Sequence, residues 1–314
     1  MAPQPRAVEE IDVPLRDGGR LYAQAYGDRR AAVTVLLLHG WTLDRRIWHR
    51  QVTHLPTKAG MPTRVIAYDA RGHGRSCAAS RDVATLAQLG DDLAEVIDQL
   101  AGDGPVVLVG HSLGGMTMME YAHRHPADFA RRVGGLVMVG TTAEGHAHTR
   151  YGLPLPLSRL VRMAELSSTY VFARCGTVRP HRAVMPAVRP GMRWLLFGET
   201  YEQSDLALAA SAVARASLCS IGGFRASVGA QHRLDTLAAL PPLPTAVLVG
   251  EQDKLTPVRC AESIARALGD VPVTRCAGAG HMLMLERPSV VNREIARVTR
   301  EAAGSNHTRL CDAA

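Results

Sequence analysis

Three short stretches of this 314-residue chain carry residue types that could do covalent chemistry together. Gly110-His111-Ser112-Leu113-Gly114 places a serine between glycines, directly after the apolar run Pro105-Val106-Val107-Leu108. A G-x-S-x-G pattern between a strand and a helix is what a sharp turn needs if it is to hold a serine hydroxyl out for attack. A serine hydroxyl is a weak nucleophile until a base takes its proton, and the base in turn needs an orienting carboxylate. Asp253 in VLVGEQDKLTP and His281 in CAGAGHMLMLERP stand in later loops, each just past an apolar run. The order Ser112, Asp253, His281 therefore predicts nucleophile, acid and base on loops after three separate strands at one edge of a parallel sheet. Acyl transfer also needs two N–H donors for the developing oxyanion. Leu113, after the serine, supplies one, and Trp41 in LLLHGWT supplies the other, with Gly40 allowing close approach.

Other residues compete for these roles. Glu251 stands two residues before Asp253, and Glu144 follows another strand, so either could supply the carboxylate. His39 and His73 read as braces in turns near the site. His111 is expected to pack beside the serine, or with Trp41 and Met282 to meet substrate, although core packing is the plainer reading of Met282 and Met284. His146 and His148 form an H-x-H pair without a carboxylate or cysteine at ligand spacing, which predicts a solvated loop rather than a metal site. No metal or organic cofactor is implied.

The elements that must position these groups alternate along the chain. Strands are expected over Leu21–Tyr26, Ala32–Leu38, Arg64–Tyr68, Val106–Val109, Leu136–Val139, Thr245–Val249 and Val271–Thr274. Between them lie a helix capped by Thr85 with apolar residues three and four apart, and others over Gly115–Arg124, Arg259–Leu268 and Val290–Ala302. Strands alternating with helices predict an α/β fold with a mostly parallel central sheet flanked by helices. The rhythm breaks between Thr142 and Arg225, which reads as a helical insertion. The expected organisation is a core from residues 1–141 and 226–303, a helical cap over 142–225, and a tail over 304–314.

Composition narrows the function classes. Apolar residues make up 46% of the chain, enough for a sizeable core. The net charge is +7, but the arginines read as spread along the chain and aromatics reach only 4%, which argues against nucleic acid. No run approaches the roughly 18 apolar residues of a membrane span. The N-terminal stretch lacks an apolar signal core, and the six cysteines show no paired spacing, so a reducing cytoplasm is the expected compartment. The sequence does not set an oligomeric state.

HGW at 39–41, DARGHGRS at 69–76, GHSLGG at 110–115, GEQDKLTP and GHMLMLERP together resemble the α/β-hydrolase fold family, in its esterase- and lipase-like branch with a helical cap. The resemblance spans Ile11 to Ala302. It implies Ser112 as nucleophile, His281 as base, Asp253 as its orienter, and Trp41 and Leu113 as oxyanion donors. A serine in place of aspartate points away from epoxide and haloalkane opening. The expected reaction is hydrolysis of a small-molecule carboxylic ester with a small to medium apolar acyl group. Acyl transfer to peroxide, thioester or lactone cleavage, and a non-catalytic binding role are the alternatives.

Overall fold

A computed structural model describes residues 9–312, with side chains described to Gly304 apart from that of Arg182. Eight strands form one sheet: β1 (Glu9–Pro14), β2 (Arg20–Tyr26), β3 (Val33–Leu38), β4 (Thr63–Asp69), β5 (Val106–His111), β6 (Val133–Val139), β7 (Thr245–Gly250) and β8 (Val273–Cys276). Their order across the sheet is β1-β2-β4-β3-β5-β6-β7-β8. The six strands from β4 to β8 run parallel, and β1 and β2 close one edge antiparallel. β1 escapes the sequence reading because its EEIDVP has only two apolar residues, as suits an exposed edge strand ending in proline.

Helices cover both faces. α1 (His49–Lys58) lies on one, and α2 (Leu86–Leu100) and α3 (Leu113–Arg124) lie on the other. The alternation of β3 shows why its VTVLLL is apolar at every position but Thr34. Val33, Val35 and Leu37 join a cluster with Val52 and Leu55 of α1. Leu36 and Leu38 join the opposite cluster with Leu93, Val96 and Tyr121. A strand buried on both faces favours apolar side chains at nearly every position, and its one polar residue, the small Thr34, is buried with the rest. After α4 (Pro126–Arg132) and β6, the chain leaves the sheet for α5 (Leu155–Phe172), α6 (Met185–Leu196), α7 (Gln203–Val213) and α8 (Leu218–Ala230). It returns through α9 (Leu234–Ala238), and α10 (Val258–Ala267) joins the last two strands. The inserted helices thus run five residues beyond the expected boundary at 225.

The C-terminal stretch also differs from expectation. After α11 (Leu283–Glu286), α12 (Pro288–Asp312) continues through most of the expected 304–314 tail. Gly304 stops the sequence reading because glycine is a poor helix former, whereas a helix already anchored by buried Val291, Ile295 and Val298 can carry one. Among the described residues, no single helix is long and apolar enough to cross a membrane.

Candidate active site

Ser112 sits at the junction of β5 and α3 with φ 52° and ψ −114°. A side-chain-bearing residue at positive φ stores on the order of 1–3 kcal/mol of strain, and only surrounding structure can hold it there. Its N–H donates to Val139 O (3.0 Å), and its carbonyl accepts from the Thr141 hydroxyl (2.7 Å) and Met116 N–H (3.1 Å). The glycines make the turn possible by lacking Cβ. One on Gly114 would stand 2.4 Å from Leu38 O, and one on Gly110 would stand 2.4 Å from Met118 Sδ. Ser112 occupies the N-cap of α3, yet its side chain makes no capping hydrogen bond.

Asp253 follows β7 and His281 follows β8; the two are buried and joined by His281 Nδ1–H to Asp253 Oδ2 at 2.7 Å. The carboxylate is fixed by three further donors: Leu255 N–H (2.9 Å) and Thr256 N–H (2.8 Å) on Oδ1, and the Thr256 hydroxyl (2.8 Å) on Oδ2. With Nδ1 protonated, a neutral imidazole leaves Nε2 as a free acceptor. The competing carboxylates lie elsewhere: Glu144 contacts His148 Nε2 (3.1 Å), and Glu251 is exposed.

Ser112, His281, Trp41 and His111 all line one cavity of about 510 Å³ between the sheet edge and helices α5 and α6. A second, smaller space of about 70 Å³ adjoins it, sharing Trp41, Ser112, Tyr151 and Glu165 and adding Leu113. The N–H of Leu113 belongs to the first turn of α3, where no intrahelical carbonyl is available to it. The Trp41 turn is braced from behind. His39 donates from Nδ1 to Gly40 O (2.8 Å) and accepts from Ala70 N–H (2.9 Å) at Nε2. His73 accepts from Thr42 N–H (3.1 Å) and donates to Arg71 O (2.9 Å). Burial lowers the pKa of both rings, that of His73 to about 3, so both remain neutral and can act as donor and acceptor at once. The indole of Trp41 donates to Ser220 O (3.1 Å) on α8.

His111 contacts the cavity but chiefly supports its neighbour. Its Nε2–H donates to His281 O (3.0 Å), and the two rings are 4.6 Å apart. Burial, then the neighbouring His281, pushes its pKa well below the usual imidazole value. Met282 is completely buried in the core and lines neither cavity, because the chain turns inward after His281 into α11.

Several positioning residues have no local sequence signature. Glu286 accepts from Gly198 (2.8 Å), Gly280 (3.0 Å) and Met282 (3.1 Å) N–H groups, which fixes the loop that carries His281. Tyr151 donates to Glu165, whose other oxygen accepts from Arg225 Nε (2.8 Å), tying α5 to α8 beside the cavity. Among the described residues, no group of three or more His, Cys, Asp or Glu could hold a metal ion.

The chain matches the Alpha/beta hydrolase family over residues 35–294. It belongs to that family. It is 29% identical over 263 residues, 83% of its length and 89% of the relative's, to a Variovorax paradoxus (strain S110) protein provisionally named carbamate hydrolase RutD. Over 116 residues it is 37% identical to the bifunctional esterase/perhydrolase DCH of Acinetobacter calcoaceticus, covering 37% of this hydrolase and 40% of that one. A thermophilic esterase from Thermogutta terrifontis shares the fold at TM-score 0.73 and 24% identity, covering 94% of this chain and 99% of that one. By name these relatives include both esterases and a carbamate hydrolase.

Proposed function

We propose that this hydrolase cleaves carboxylic esters through Ser112, His281 and Asp253. The observation that carries the reading is the buried 2.7 Å Asp253–His281 hydrogen bond beside a serine held at positive φ, with serine and histidine on one cavity wall. In the proposed reaction His281 Nε2 takes the Ser112 proton as Oγ attacks the ester carbonyl. The oxyanion is received by the N–H groups of Trp41 and Leu113. His281 then protonates the departing alcohol, leaving an acyl-enzyme, and the same nitrogen activates water to release the acid. Asp253 holds the imidazole in the productive tautomer and stabilises its protonated form. The neutral His111 ring adds no opposing charge next to that imidazolium.

Residues 142–225, with α8 carried on to Ala230, serve in this reading as a cap over Ser112. Val161, Val188, Met192, Trp194 and Leu195 supply the apolar walls suited to a small or medium apolar substrate group. Hydrolysis of a chain-length series of nitrophenyl esters by the native protein and by Ser112→Ala tests the proposal. Turnover peaking at one chain length and abolished by the substitution is expected, and a broad ester and thioester panel left untouched would defeat it. The likeness to an esterase/perhydrolase supports one second reading, in which peroxide replaces water as acyl acceptor. Peroxide-dependent turnover of the same acyl donors separates the two.

A further inference from the structure

All of the exposed large hydrophobic side chains among the described residues lie between Leu155 and Trp194. On α5, Leu157 (45% exposed), Leu160 (61%), Met163 (65%), Leu166 (47%) and Tyr170 (61%) recur every three or four residues and make one outward apolar stripe. The helix is inside out by the usual standard, since its only fully buried residues are Ser158 and Thr169. A contiguous apolar stripe of this kind on a protein surface marks a contact with something apolar.

The charge around it is one-sided. Residues 150–198 contain eight arginines and a single acid, Glu165. That acid faces inward and is already bonded to Tyr151 and Arg225. Arg159, Arg174, Arg179 and Arg189 are exposed. Arginines that read in the sequence as spread along the chain therefore leave their unbalanced excess on this one segment. Long cationic side chains flanking exposed Leu, Met, Tyr and Trp are the composition of a helix that lies in the headgroup region of an anionic membrane. A second copy of this chain would bring the same cationic surface against itself.

The surface is also continuous with the cavity. Val188 and Trp194, 39% and 43% exposed, line the Ser112 chamber as well as the outer face, and Val161 of α5 lines it between the stripe residues. We infer that the outer face of α5 and α6 docks on an anionic lipid surface, so that substrate enters the Ser112 chamber from the lipid rather than from bulk water. The inference extends the proposed esterase reading by naming lipid-dissolved esters as the substrate class, while the docking itself does not depend on turnover.

Flotation of the full chain with phosphatidylcholine vesicles, with and without phosphatidylglycerol, tests it, with tryptophan emission of the native protein and of Trp194→Phe read in parallel. The expected result is binding to the anionic vesicles only, a blue shift of the emission, and weakening as salt rises. Arg159→Gln and Arg189→Gln should each weaken binding roughly fivefold, the size of one arginine's attraction to an anionic surface. Leu160→Ser combined with Met163→Ser should abolish it; both side chains are exposed, and a thermal melt checks that folding is retained. Failure to float with anionic vesicles overturns the inference. So does salt-insensitive binding to both vesicle types, or a dimer in solution that the double serine variant dissolves. Ser112→Ala protein should float like the native protein. Floating without ester turnover in the native protein would defeat the esterase reading and leave the docking surface standing.

Discussion

Replacing Asp253 with asparagine separates the geometry of the candidate site from its chemistry. The side chain keeps its shape, and its contacts dictate which way the amide must point. Two backbone donors, Leu255 N–H at 2.9 Å and Thr256 N–H at 2.8 Å, face Oδ1. Turning the amide nitrogen toward them would strand two buried donors, at about 1–3 kcal/mol each. The introduced amide must therefore keep its oxygen there and place its NH2 where Oδ2 stood, 2.7 Å from His281 Nδ1. An NH2 donates, so Nδ1 must become the acceptor and the ring proton moves to Nε2. In the proposed reaction that is the nitrogen that takes the Ser112 proton. A catalytic triad frozen in the wrong tautomer loses on the order of 10⁴ in kcat, equivalent to about 5 kcal/mol of transition-state stabilisation. Steady-state kinetics on the best nitrophenyl ester should show this fall, with KM changed only a few-fold and the melting temperature close to native. A loss of less than about tenfold would mean that another group, and not Asp253, orients the base.

Gly114→Ala should lower both stability and activity, because its Cβ would stand 2.4 Å from Leu38 O in a packed core; overpacking of this kind costs about 1–3 kcal/mol, and an unchanged melting temperature would contradict it. Asp69→Leu should cost about 3–5 kcal/mol by leaving the buried Arg45 guanidinium unpaired. The carboxylate now accepts from Arg45 Nη1 (2.7 Å), Arg45 N–H (2.8 Å) and Arg75 N–H (2.8 Å), and a denaturant midpoint within error of native would refute this. Stability should also fall in acid because His39 and His73 are held neutral by burial, His73 down to about 3. In the unfolded chain both titrate near 6.5, so between about pH 6.5 and 3 the unfolded state binds more protons and stability rises with pH. Their contribution is complete above pH 6.5 and lost below it, and a melting temperature that is flat or rising from pH 6.5 down to 4 would contradict the assignment.

The parts of this molecule that were legible in the sequence are those written in local pattern. β3 and β5 announce themselves as nearly continuous apolar runs because both of their faces are covered, and the Ser112 turn announces itself through glycines that no larger residue could replace. Asp253 and His281 were singled out by their places after successive strands, an argument about topology rather than about neighbours, and their side chains meet in the structure. What was missed depends on contacts between residues distant in sequence. Glu286 gathers N–H groups from Gly198, Gly280 and Met282, and Arg225 reaches Glu165 across two inserted helices. Neither arrangement leaves a spacing that a sequence could display. The exposed stripe on α5 was hidden for another reason. Its three-and-four spacing is that of any amphipathic helix, and only the fold determines whether such a stripe faces the core or the solvent. Met282 shows the converse: adjacent to His281 in sequence, it points into the core because the chain turns inward there.

In the proposed reaction everything depends on Ser112 being a reactive nucleophile. Incubation of the native protein with a fluorophosphonate, followed by intact-mass and peptide analysis, tests this without any assumption about substrate. One adduct per chain, located on Ser112, absent in Ser112→Ala and formed far more slowly in Asp253→Asn, is the predicted result. An unmodified native protein, or an adduct on any other residue, would contradict it.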